Sequence, residues 1–173
     1  MRFLLATALV VAIASLLPAQ APVPAARKSS PVEGAGPILL PPIFRPILGS
    51  SGQVFAGTVI SVQHNSGSSG ALATTSIRFH VDEAIRGVRK NQLVEIKEWA
   101  GLWQSGEQYH PGERVLLFLY PPSRLGLTGP VGHTAGRFPI DKGGGVLVPI
   151  RPGRSARPVE LRRVVAALKA EQE

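Results

Sequence analysis

A chain of 173 residues without a single cysteine, carrying 19 Lys and Arg against 11 Asp and Glu, excludes a disulfide framework and any metal site built on thiolates. Once a leader is removed, the remaining roughly 150 residues suffice for one domain with its own core and hardly for two. A net charge of +8 suits nucleic acid, anionic lipid headgroups, acidic polysaccharide or an acidic protein, and equally plain solubility, so charge alone selects no ligand.

Residues 1–21 read as a signal peptide. Arg2 supplies a short positive n-region, "FLLATALVVAIASLL" an apolar h-region, and Ala19-Gln20-Ala21 a small-residue cleavage site. The apolar run is shorter than the roughly 20 residues a spanning helix needs, and Pro18 closes it. The expectation is an exported protein, periplasmic or secreted, cut after Ala21 and left without a membrane span. No cysteine near the cut offers a site for a lipid. An exported chain held by core packing alone fits a bacterial envelope better than an animal secretion.

Residues 22–50 read as a proline-rich linker, because seven prolines between 22 and 48 remove donors and fix φ, against both helix and central strand. Ile38 to Leu48 is apolar between its prolines and can lie along a domain surface. The domain proper spans 51–150. Its first strand, "SGQVFAGTVISVQ", presents Val54, Ala56, Thr58, Ile60 and Val62 on one face and a mixed face opposite. After the loop "HNSGSSGALA", the second strand "TTSIRFHVDEAI" alternates Ile77, Phe79 and Val81 inward with Arg78, His80 and Asp82 outward.

A third strand, "LVEIKEW", puts Val94 and Ile96 inside and Glu95 and Lys97 outside. The run Val115 to Tyr120 does not alternate, the pattern of a strand covered on both faces. Arg137–Ile140 and Val146–Ile150 read as a last hairpin across Gly143-Gly144-Gly145. Residues 151–173 turn helical, with Pro158 suited to a first helical position and Leu161, Val164, Val165 and Leu168 forming one stripe. The fold class is mainly β: a small five-stranded barrel of the oligonucleotide/oligosaccharide-binding (OB) type with a C-terminal α-helix packed on it. In such a barrel Gly57 is the corner where a shared first strand bends; in an open sandwich it is an ordinary edge-strand glycine.

The segments "VFAGTV", "IRFHVDEAIRG" and "GERVLLFL" follow one another in an order that resembles the netrin-like domain shared by tissue inhibitors of metalloproteinases, in particular its exported bacterial relatives. The resemblance covers Gln53 to Tyr120. It implies an OB-like barrel with a flanking helix, used as a binding or inhibitory module and not as an enzyme. In the animal inhibitors an N-terminal cysteine chelates the protease zinc; this chain has no cysteine, so the inhibitory wedge does not carry over. A shared scaffold is in any case thin evidence of shared function.

Motifs for chemistry are sparse. His64, His80, His110 and His133 stand in four separate segments with no metal-ligand spacing, so no metal and no cofactor are expected. No nucleophile elbow occurs, and Ser105 reads as a turn residue. Paired-carboxylate catalysis would need Asp82, Glu83, Glu95 or Glu98 in a cleft, whereas outward strand positions favour cross-strand pairs with Lys or Arg. The loop between strands three and four gathers Trp99, Trp103, Tyr109 and His110. Trp99 reads as a plug for the barrel end, and Trp103, Tyr109 and His110 as candidate binding residues. His133, in "GPVGHTAGRF", is a further candidate.

Basic residues gather at Arg86, Arg89 and Lys90, and at Arg151, Arg154, Arg157, Arg162 and Arg163; Arg162 and Arg163 are the candidates for an anion-binding edge. Few aromatics interleave with them, which speaks against nucleic acid. The reading is an exported, monomeric, non-catalytic binding module for a protein partner or an envelope component. The alternatives are a basic glycan or polyanion binder and an inhibitor-like protein acting without the cysteine wedge.

Overall fold

The computed structural model describes residues 42–67, 72–104, 108–149 and 156–172. The signal peptide, its cut after Ala21, the linker up to residue 41, and Ser105, Arg151 and Arg154 lie outside the described residues.

The first element corrects the linker reading, because Phe44–Ser50 is a helix, α1. Pro46 is tolerated there as the third helical residue, where a backbone N–H would have no partner within the helix. Phe44, Ile47 and Leu48 are buried by it. Two long strands follow, β1 (Gln53–Asn65) and β2 (Thr74–Arg86), then β3 (Leu93–Trp99) and a short helix α2 (Ala100–Gln104). Next come β4 (Arg114–Leu119), a 3-10 turn at His133–Gly136, β5 (Arg137–Pro139) and β6 (Gly145–Val148). The chain closes with β7 (Arg157–Glu160) and α3 (Leu161–Ala170).

Strands β1 to β5 form an antiparallel sheet in the order β3-β2-β1-β4-β5, and β6 pairs with β7 in a second ladder. The expected closed barrel is not formed among the described residues, since no strand ladder returns from β5 to β3. One reason is β5 itself: it is three residues long and ends at Pro139, which has no N–H to offer a further partner. In place of closure, residues 121–130 cross to the far edge, where the Thr128 N–H donates to the Lys97 carbonyl at 2.8 Å.

Gly57 stands where β1 serves two neighbours, opposite Val81 on β2 and Val115 on β4, next to a register shift at Ala56/Gly57. A Cβ there would lie 2.6 Å from the His80 carbonyl and 3.2 Å from the Phe55 ring, so the bend needs a residue without one.

The sheet has two cores, one on each face, where a single interior was expected. On the first face Val54, Ala56, Leu116 and Phe118 pack under α1 and α3, with Phe138, Val146 and Val148 at the margin. Phe44 of α1 sits 5.5 Å from Phe118 and 4.8 Å from Phe138 between ring centroids. On the second face Phe55, Ile77, Phe79, Val94, Ile96, Val115 and Leu117 pack against one another within the sheet's curl. This explains why β4 reads as unbroken apolar sequence: Arg114 apart, it is buried throughout.

The terminal helix carries its stripe of Leu161, Val164, Val165 and Leu168 into the first core as expected, but it starts at Leu161. Pro158 lies in β7, opposite Leu147, and not at the helix start. The predicted last hairpin is there in outline: Ile140 bridges Val146 and the Asp141 N–H donates to the Gly145 carbonyl. Its arms, however, mainly pair with β4 on one side and β7 on the other.

Candidate functional site

The C-terminal end of β3 and the loop after β4 enclose a groove of about 470 Å3, lined by Trp99, Leu102, Tyr120, Leu127, Pro130 and His133. Trp99 is 54% exposed and Tyr120 45% exposed, and both line the same groove. Neither ring is loose. The Trp99 indole lies against Gly101, where a Cβ would collide with it. The Tyr120 hydroxyl accepts the Gly132 N–H at 3.2 Å, and its carbonyl accepts the Thr128 hydroxyl at 2.6 Å. The next residue, His133, has a left-handed backbone (φ 58°), which turns the chain at the groove's rim. The loop's tip is folded on itself, with the Leu127 N–H donating to Ser123 Oγ at 3.1 Å.

The sequence candidates are scattered, and only His133 lines this groove. Trp99 does not plug the interior; its ring lies outside, because β3 alternates strictly and residue 99 falls on the exposed side. Trp103 packs edge-on to His64, 4.5 Å between centroids, at the loop end of the β1–β2 hairpin, and reaches the second core. Tyr109 is a correction: it is buried in the second core, 5.6 Å edge-on to Phe79, and not available to a ligand. His110 beside it is 73% exposed, its backbone N–H donating to Glu113 at 3.2 Å.

The basic edge also divides. Arg162 and Arg163 are exposed on α3, and Arg162 borders a polar hollow with Asp82, Glu83, Arg114 and Glu160, where the acids offset the cations. Arg86 is structural: its Nη1 donates to the Leu48 and Ser51 carbonyls at 2.7 and 3.2 Å, and its Nε to Gln172 at 2.9 Å, tying both helices to β2. Lys90 is paired with Glu83 at 2.8 Å.

Two polar clusters come closest to catalytic form. Asp82 accepts the Thr58 hydroxyl at 2.9 Å, sits 2.9 Å from His80 Nδ1, and lies 3.6 Å from Arg114. The carboxylate is the hub of that cluster, and the hydroxyl points to it and away from the imidazole, so the nucleophile-to-base bond of a triad is missing. Glu98 is fully buried, with the Tyr109 hydroxyl donating to it at 3.3 Å, while Arg137 lies over the Tyr109 ring at 4.3 Å and pairs with Glu113 at 2.6 Å. Glu95, by contrast, makes the expected cross-strand pair, 3.4 Å from Arg78. Among the described residues no group of three or more His, Asp or Glu side chains gathers as a metal site.

Tyr120, Leu102 and Leu127 were missed by sequence reasoning. A signal existed: "YPPSRLGLTGPVGH" follows an unbroken apolar strand, yet keeps aliphatic and aromatic residues between prolines and glycines with no acid among them. Comparison with family models, curated proteins and solved structures found no match to the chain.

Proposed function

We propose that the protein is an exported, non-catalytic binding module on an OB-like, netrin-like scaffold, and that it recognises a protein partner or envelope component through the groove between β3 and the loop of residues 120–133. The observation that carries this is the pair Trp99 and Tyr120: two solvent-facing rings flank an apolar groove, and each is held in place by its neighbours. Pre-set aromatic rings gain contact area on binding while losing little conformational freedom. The scaffold assignment is supported by a central β1 shared by β2 and β4 and bent at Gly57. The polyanion alternative is weakened where Arg86 and Lys90 already meet partners within the chain and where Arg162 borders a hollow that also holds Asp82, Glu83 and Glu160.

The test is a photo-crosslinking residue placed at Leu125, which is 72% exposed beside the groove, and at Arg163 on α3 as reference, in the producing cells. The expected result is a discrete adduct from position 125 that disappears in Trp99→Ala. Equal adducts from both positions would refute the groove as the recognition surface.

A further inference from the structure

We infer that the occupant of the groove is an extended proline-rich peptide segment with acidic flanks; this rests on reading the groove as the partner site. Three of the polar side chains around it are already engaged. Thr128 Oγ1 donates to the Tyr120 carbonyl, Tyr120 Oη accepts the Gly132 N–H, and Ser123 Oγ accepts the Leu127 N–H. A sugar brings many hydroxyls that need partners when water is removed, and burying them unmatched is costly. An added β-strand needs backbone partners along β3, and the Lys97 carbonyl on that edge already accepts from Thr128.

A polyproline segment needs neither. It lacks N–H groups at proline, keeps its carbonyls in water, and is pre-ordered, so its ring faces can lie on Trp99 and Tyr120 at small entropic cost. The prolines lining the groove and the aliphatic Leu102 and Leu127 offer the matching apolar wall. Charge narrows the choice further. Residues 120–136 contain Arg124 and His133 and no Asp or Glu, and Lys97 stands two residues from Trp99 on the same exposed side of β3. Carboxylates flanking the prolines are therefore attracted, and lysine or arginine there repelled.

The experiment titrates the protein, purified from the cells that make it, with a fluorescent peptide of consecutive prolines flanked by glutamates, and reads anisotropy. The glycine-serine peptide with the same flanks should not bind. Trp99→Ala should raise Kd by roughly tenfold or more. Gly101→Ala, which keeps the tryptophan but displaces its ring with a Cβ, should also weaken binding while helix content holds. Lys97→Glu should raise Kd a few-fold at low salt for the glutamate-flanked peptide only, and the difference should fade with added salt. Parental affinity in both Trp99→Ala and Gly101→Ala overturns the proposal. Failure of the proline peptide alongside Trp99-dependent binding of a neutral oligosaccharide, or Trp99-dependent self-association in sedimentation, overturns the occupant and leaves the groove as a site. No Trp99-dependent binding of any of the three overturns both.

Discussion

The two faces of the sheet solve the same burial problem with different materials. The first face is sealed by helices from opposite ends of the domain, α1 and α3, and its core is centred on Phe44, Phe118 and Phe138, with the buried Ser51 hydroxyl on the Ile47 carbonyl at its edge. The second face is roofed by strand curvature and by the segment around Tyr109, and it takes in Glu98 with a tyrosine hydroxyl beside it. The contrast teaches where polar chemistry can enter this fold. The helices cover the first face with aliphatic and aromatic side chains, and polar groups enter there only at the end of α1, where Arg86 meets the Leu48 and Ser51 carbonyls. The strand-and-loop face borders irregular backbone, and there a buried carboxyl and Arg137 stacked over Tyr109 find a place.

Phe44→Ala should produce the largest effect. It empties the contact between α1 and two other rings, and the expected loss is about 4 kcal/mol in urea unfolding. A cost below about 1 kcal/mol would mean that the helix merely rests on the sheet and that the first face is closed by α3 alone. Gly57→Ala probes the bend shared by both faces. With a backbone carbonyl 2.6 Å from the new Cβ, a loss of about 2 kcal/mol is expected, again from urea midpoints.

On the second face Tyr109→Phe keeps the ring packing and deletes only the hydroxyl that meets Glu98, so about 1–2 kcal/mol should be lost. Stability equal to the parent would show that this bond contributes little and that the polar character of the face is incidental. The smallest effect belongs to Glu95→Gln on the outer side of β3. Its partner Arg78 is half exposed, and less than about 0.5 kcal/mol should separate the variant from the parent in the same assay.

Much of this architecture was legible in residue patterns. Ile77, Phe79 and Val81 alternate with polar neighbours and do face one core, and the uninterrupted run in β4 announced a strand buried on both sides. The stripe Leu161, Val164, Val165, Leu168 packs as its spacing predicts. The failures have identifiable causes. Pro46 looked like a helix breaker, yet a proline in the first turn removes an N–H that no carbonyl would have met. Pro158 resembled a helix start, but the ladder with β6 holds it extended.

The site was less legible than the fold. Tyr109 and Trp99 are both aromatic residues near a loop, and only the strict alternation of β3 and the packing on Phe79 decide that one ring is outside and the other inside. Glu98 stood among polar strand residues whose neighbour Glu95 is in water; parity along β3 alone puts it in the interior. The groove depends on a chain crossing from β4 to β3, a tertiary event that local periodicity does not encode.

The crossing has a further consequence. Strand β3 ends the sheet, and an uncovered edge of alternating apolar residues invites identical chains to add to it and build an aggregate. By laying Thr128 across Lys97, the loop obstructs such growth over the half of the edge nearest Trp99. The segment that walls the groove thereby also keeps neighbouring molecules from stacking edge to edge.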